Sequence, residues 1–148
     1  MNTYEMAKAY IGDAGISLRE AKDSFENGAY HRTVRRAQEC VELSLKGVLR
    51  LFGIEYPKSH DVSSALDEAE AHVNIPKWFR EKTEELKRAS RRLAQERALA
   101  FYGDERAFIP PEKMYSKKDA EEAIKMAEEC LQAARRLLAE HEEKMKQG

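Results

Sequence analysis

Gln38, Glu42 and Lys46 recur at steps of four, a spacing that stacks side chains in one row on a helix. At about 100° per residue the row flanks the apolar stripe of the same segment. It reads in two ways: a boundary row with a Glu42–Lys46 ion pair, or a polar seam turned toward a ligand or partner. Arg97 follows Leu93 by four and extends another apolar stripe. A guanidinium there cannot stay buried and unpaired. It either snorkels out near its helix end or meets a carboxylate, a partner or a phosphate. His60-Asp61 opens a third segment, where a helix N-terminus suits an anion, although Asp61 also serves there as a simple cap. Lys87, Arg88, Arg91 and Arg92 form a basic run, with Arg88, Arg91, Arg92 and Gln95 on one face. Such a run is either a solvated face or a contact for RNA or nucleotide phosphates.

Other chemistry is missing. There is no Gly-rich phosphate loop, His-Glu-x-x-His, Gly-x-Ser-x-Gly or EF-hand loop. His31, His60, His72 and His141 sit at no metal-ligand spacing, and His31 and His141 read as solvated helix positions. No metal or cofactor is expected.

The elements that position these residues have a helical hydrophobic period almost throughout. A first helix runs from Thr3 to Asn27 on the stripe Ala7, Tyr10, Ile11, Ala14, Leu18, Ala21 and Phe25. Asn27-Gly28 ends it. A second runs from Tyr30 to Phe52 and, widened by Leu43 and Leu49, is the central one. Pro57 marks a loop up to His60. A short third helix is predicted over Asp61–Val73, a fourth from Pro76 to Tyr102, and a fifth from a Ser116-x-x-Asp119 start signal to Lys144. No segment alternates with a strand period. The expected fold is all-α, an up-and-down bundle of about five helices.

At 148 residues the chain has the length of one domain, 1–148. Its 26 Lys+Arg against 27 Asp+Glu argue against a globally basic nucleic-acid coat. Cys40 and Cys130 are the two cysteines and form no Cys-x-x-Cys, which favours a reduced, cytoplasmic setting. No apolar run approaches the roughly 18 residues that a membrane span needs.

The string Ala37-Gln38-x-x-x-Glu42-Leu43-x-Leu45-Lys46-x-x-Leu49, followed by Gly53, Pro57 and His60-Asp61-Val62, resembles the HEPN family (higher eukaryotes and prokaryotes nucleotide-binding domain). Ala9-Tyr10-Ile11-x-Asp13-Ala14, Phe25-x-x-Gly28-x-Tyr30 and the alanine-rich last helix fit it too. The resemblance covers nearly the whole chain. It implies a helical bundle that dimerises, in many members beside a minimal nucleotidyltransferase, often as toxin and antitoxin. Toxin members of the family cut RNA with Arg-x(4–6)-His near the end of the fourth helix. Arg97 matches the arginine, but the histidine window holds Tyr102, Gly103 and Asp104. Some toxin members carry a modifiable tyrosine two residues after that histidine; counted from Tyr102, that position is Asp104.

The departure matters because metal-free RNA cleavage needs groups that exchange protons near the working pH. Histidine, at about 6.5, suits this, whereas tyrosine, at about 10, is a poor base. The resemblance therefore implies a non-catalytic or degenerate member. Such a protein is a homodimeric partner of a minimal nucleotidyltransferase, a binder of nucleotide or RNA phosphates, or both. Gln38, Glu42, Lys46, His60, Asp61 and Arg97 are its candidate binding residues. The alternative is an endoribonuclease using Arg97 with Tyr102 or His60. A scaffold without any ligand, in which Arg97 is only an interface residue, is the plainest reading.

Overall fold

The computed structural model describes residues 3–71 and 74–148. They form six α-helices: α1 (Thr3–Glu26), α2 (Tyr30–Leu51), α3 (Ser63–Glu70), α4 (Lys77–Arg80), α5 (Thr83–Tyr102) and α6 (Lys117–Gln147). A single 3-10 turn, Pro111–Lys113, precedes α6. The fold is all-α, and no described helix is long and apolar enough to cross a membrane.

α1 folds back onto α2 through Asn27-Gly28-Ala29. Gly28 supplies the positive φ of 74° while the Ala29 N–H donates to the Ser24 carbonyl at 2.9 Å. α2 is central, as its wide stripe predicts, and packs on α1, α5 and α6. Val41, Leu45, Val48 and Leu49 are all buried. Fully burying a leucine of this kind contributes roughly 1.5–3 kcal/mol. Gly47 lets α1 come close, since a Cβ there would lie 2.7 Å from Ile11 Cγ1. On the other flank, Ala120, Ala123, Ala127 and Ala134 of α6 are buried. The Cys40 thiol donates across to the Ala127 carbonyl at 3.7 Å. Ser116 and Asp119 form the expected capping box, with Ser116 Oγ accepting from the Asp119 N–H at 3.2 Å and Asp119 Oδ2 accepting from the Ser116 N–H at 2.8 Å.

Several expectations are corrected. The fourth helix is not continuous over Pro76–Tyr102; it breaks into α4 and α5 at Glu81–Lys82. The Thr83 hydroxyl donates to the Arg80 carbonyl at 2.9 Å, and the Arg80 guanidinium donates to the Glu70 carbonyl. Phe79 and Thr83 are buried on both sides of the break, which is why the hydrophobic period runs through it unchanged. The third helix begins at Ser63, not Asp61, and ends at Glu70; the predicted His72 and Val73 lie outside the described residues. Asp61 caps from outside, its Oδ1 accepting from the Ser63 N–H at 2.9 Å and from the Ser90 hydroxyl at 3.2 Å. Ser90 in turn accepts from the Val62 N–H at 2.9 Å.

The basic run also divides. Lys87 is no solvated residue: its ammonium is buried against Asp67 at 2.8 Å, Glu70 at 2.6 Å and Glu84 at 2.8 Å. Hydrogen bonds to these three carboxylates raise its pKa above the usual lysine value, and they bolt α3 to α5. Arg88, Arg91 and Gln95 stay exposed, and Arg92 pairs with Glu122 of α6 at 2.9 Å. Neither His31 nor His141 is fully solvated; both are half-buried, and His141 stacks on Tyr4 with centroids 5.6 Å apart.

The segment after α5 turns sharply at Gly103, where φ is 71° and ψ −161°, a region open essentially to glycine alone. Asp104 and Ile109 then exchange backbone hydrogen bonds at 2.9 and 3.0 Å, and Asp104 Oδ1 accepts from the N–H groups of Arg106 and Ala107. A Cβ on Gly103 would lie 2.1 Å from the Ile109 carbonyl oxygen. Gly103→Ala is therefore expected to lower stability by about 3 kcal/mol or more, from strain plus steric clash. Urea unfolding of the two proteins side by side measures it; a loss below about 1 kcal/mol counts against this turn geometry.

Candidate functional site

Gln38 lies on the inner side of its row and is buried, 1% exposed. A buried amide must satisfy both its ends. Its carbonyl Oε1 accepts from the Arg97 guanidinium at 2.5 Å, and its Nε2 donates to Glu42 Oε1 at 2.9 Å. Arg97 thus does not snorkel alone, and among the described residues it meets no carboxylate. It crosses from α5 to α2 and ends on a neutral carbonyl, which fixes its direction and leaves its charge uncompensated. Its guanidinium carbon also lies 5.0 Å from the centre of the Phe101 ring, one turn on along α5.

Glu42 is the junction of the row. Oε2 accepts from Lys46 at 2.8 Å, while Oε1, already bonded to Gln38, also accepts from His60 Nδ1 at 2.8 Å. Burial opposes ionisation of this carboxyl, but the hydrogen bonds from Lys46, Gln38 and His60 together outweigh it and hold the pKa below the usual glutamate value. An ionised carboxylate only accepts, so Nδ1 is the donor in this contact and Nε2 is not used in it. Tyr56 steadies the loop that delivers His60. Its hydroxyl accepts from Arg50 Nε at 3.0 Å, and Lys46 lies 5.5 Å from its ring centre.

His60, Arg97 and Tyr102 come together in one cleft of 320 Å³, with Ala94, Ala98 and Phe101 completing its lining. Tyr102 is 67% exposed at its mouth. Gln38, Glu42 and Lys46 stand behind this cleft as supports. Asp61 is apart from it, occupied by the α3 cap and Ser90. Among the described residues no group of three or more His, Cys, Asp and Glu is placed to hold a metal ion.

Two contributors were missed by sequence reasoning. Phe101 had a signal, its i+4 spacing from Arg97, which puts the ring beneath the guanidinium. Tyr56 had none, because its role depends on where an irregular loop lands.

The HEPN domain model matches residues 7–138, so this chain belongs to the HEPN domain family. A Methanocaldococcus jannaschii protein named "Putative toxin MJ1304" is 30% identical over 136 residues, which is 90% of this chain and 89% of that protein. The crystal structure of an archaeal HEPN homologue superposes with a TM-score of 0.67 at 23% identity, covering 89% of this chain and 97% of that one. A Thermus thermophilus protein superposes with a TM-score of 0.70 at 24% identity, covering 88% of this chain and 97% of that one. Both structural likenesses show the fold.

The Glu42 junction has a pH signature. A depressed folded-state pKa adds stability that is present above the unfolded glutamate value, about 4.3, and lost as pH falls through the folded value below it. Melting temperatures from pH 7 down to pH 3 should therefore fall more steeply for the wild type than for Glu42→Gln, with the excess appearing below about pH 4.3. Parallel curves in that window would disprove the linkage.

Proposed function

We propose that this HEPN protein binds phosphate groups of a nucleotide or of RNA at the His60–Arg97–Tyr102 cleft, without cleaving them. In this reading it works as a homodimer and as the partner of a minimal nucleotidyltransferase. One observation carries the binding reading. Arg97 is aimed by a buried neutral amide rather than neutralised by a carboxylate, so its remaining N–H donors and full charge are available to an anion. A guanidinium fork matches phosphate oxygens bidentately, and Ala94 and Ala98 leave room beside it. The pairing with a transferase rests on family membership and on the toxin name of the archaeal relative.

A ligand that binds only the native state raises its stability. Adenosine monophosphate at about a hundred times its Kd should stabilise the wild type by about 2.7 kcal/mol, and Arg97→Gln should lose most of that effect. Equal thermal shifts in the two proteins would overturn the assignment. Purification of the native protein from cells, followed by mass spectrometry, tests the transferase and the dimer; recovery as a monomer with no transferase removes that part.

A second reading is favoured by the Glu42–His60 contact. A carboxylate holding Nδ1 and leaving Nε2 free is the arrangement that orients a general base. Nε2 would take the 2′-hydroxyl proton, the alkoxide would attack the adjacent phosphorus, water would protonate the departing 5′-oxygen, and the imidazolium would return its proton to the resulting hydroxide, with Arg97 facing the charge that develops on phosphate. Incubating RNA with wild type, His60→Ala and Arg97→Gln decides between the readings. Cleavage that vanishes in both variants establishes the nuclease, and intact RNA with wild type sustains the binding protein.

A further inference from the structure

Arg35 of α2 and Arg97 of α5 converge on one aromatic ring. Their guanidinium carbons lie 3.7 Å and 5.0 Å from the centre of Phe101, so the two cations are no farther apart than the sum of those distances. Neither pairs with a carboxylate among the described residues, and the acidic neighbours are engaged elsewhere. Glu39 holds Arg36 at 3.0 and 3.1 Å, and Glu42 is filled by Gln38, His60 and Lys46. No N–H of Arg35 reaches a protein acceptor among the described residues, and Arg97 uses one on Gln38. Burial, with Arg32 and Arg36 beside it, pushes the pKa of Arg35 below the usual arginine value, and Arg97 adds to this against the opposing pull of Glu39.

Two like charges this close repel each other. The negative face of the ring offsets part of that repulsion, but at five N–H donors per arginine it leaves nine that no protein acceptor among the described residues takes. An anion reached by both guanidinium groups would relieve that repulsion. We propose that Arg35 and Arg97 form a two-guanidinium clamp for a ligand carrying two neighbouring phosphates, with Phe101 as the ring that both contact. The inference rests on the reading of Arg97 as an anion-binding residue and adds Arg35 and the preference for two phosphates. That chemistry has two sources, the diphosphate of a nucleotide and successive phosphodiesters of a single strand.

Titration calorimetry at fixed ionic strength tests it with inorganic phosphate, pyrophosphate, adenosine diphosphate and a short single-stranded oligoribonucleotide. Pyrophosphate should bind wild type at least about tenfold more tightly than phosphate, a gain that one extra charge-assisted contact supports. Arg35→Gln should erase that advantage and keep phosphate binding, while Arg97→Gln should lose both. Tighter binding of adenosine diphosphate than of the oligonucleotide assigns the ligand to nucleotides, and the reverse order assigns it to strands. Arg35→Lys guards against a folding defect: it keeps charge and stem but not the planar fork, so it should melt like wild type and still lose the pyrophosphate advantage. The clamp is overturned if pyrophosphate binds no better than phosphate, or if either Arg35 variant retains the full advantage. Should wild type bind none of the four probes, the Arg97 reading falls with it; phosphate binding without a diphosphate advantage removes the clamp alone.

Discussion

The Glu42 carboxylate, lodged on the flank of α2, receives donors from three directions: Gln38 one turn before it, Lys46 one turn after it, and His60 from the loop ahead of α3. A half-buried charge is tolerable only when its lone pairs are filled, and here four of the six candidate binding residues exist in their observed positions because of it or through it. Gln38 passes the constraint on to Arg97 across the α2–α5 interface. A helix row and two side chains from other elements thereby become one hydrogen-bonded chain, in which moving one member leaves another unsatisfied.

That chain requires the His60 loop to be held independently, and α3 does this. Lys87 with its three carboxylates and Ser90 with Asp61 and Val62 attach the entry and the body of α3 to α5. Arg50 and Tyr56 secure the other end of the loop. The imidazole is thus fixed to the same helix that carries Arg97. At the far end of α5 the Gly103 turn and the Asp104–Ile109 bridge end the helix just past Tyr102. The cleft is therefore lined by α5 and by a loop that is tied to α5 at one end and to α2 at the other.

Family membership and site chemistry speak to different levels. The HEPN match describes the bundle; a fold hosts several functions and does not choose among them. The choice lies in the side chains that line the cleft. This chain has the guanidinium without a histidine five to seven positions later, yet an imidazole from another element shares the same hollow. An anion-binding cleft and a proton-transferring one differ here by how closely His60 Nε2 meets a bound phosphate ester, which is a property of the complex.

Much of this was legible in the chain itself. Helical period, Gly and Pro punctuation and the Ser116–Asp119 box are local signals, because helix contacts fall within four residues. The same locality made the Glu42–Lys46 pair and the central α2 readable, and it marked Arg97 as a residue in need of a partner. It could not say which partner, since Gln38 lies 59 positions away. Nor could it separate Lys87 from Arg88, one buried and the other exposed, or see the break between α4 and α5 beneath an unbroken apolar stripe. Bringing His60, Arg97 and Tyr102 into one cleft needed the packing of α2, α3 and α5, because distances between elements are set by core volume and loop closure rather than by residue spacing.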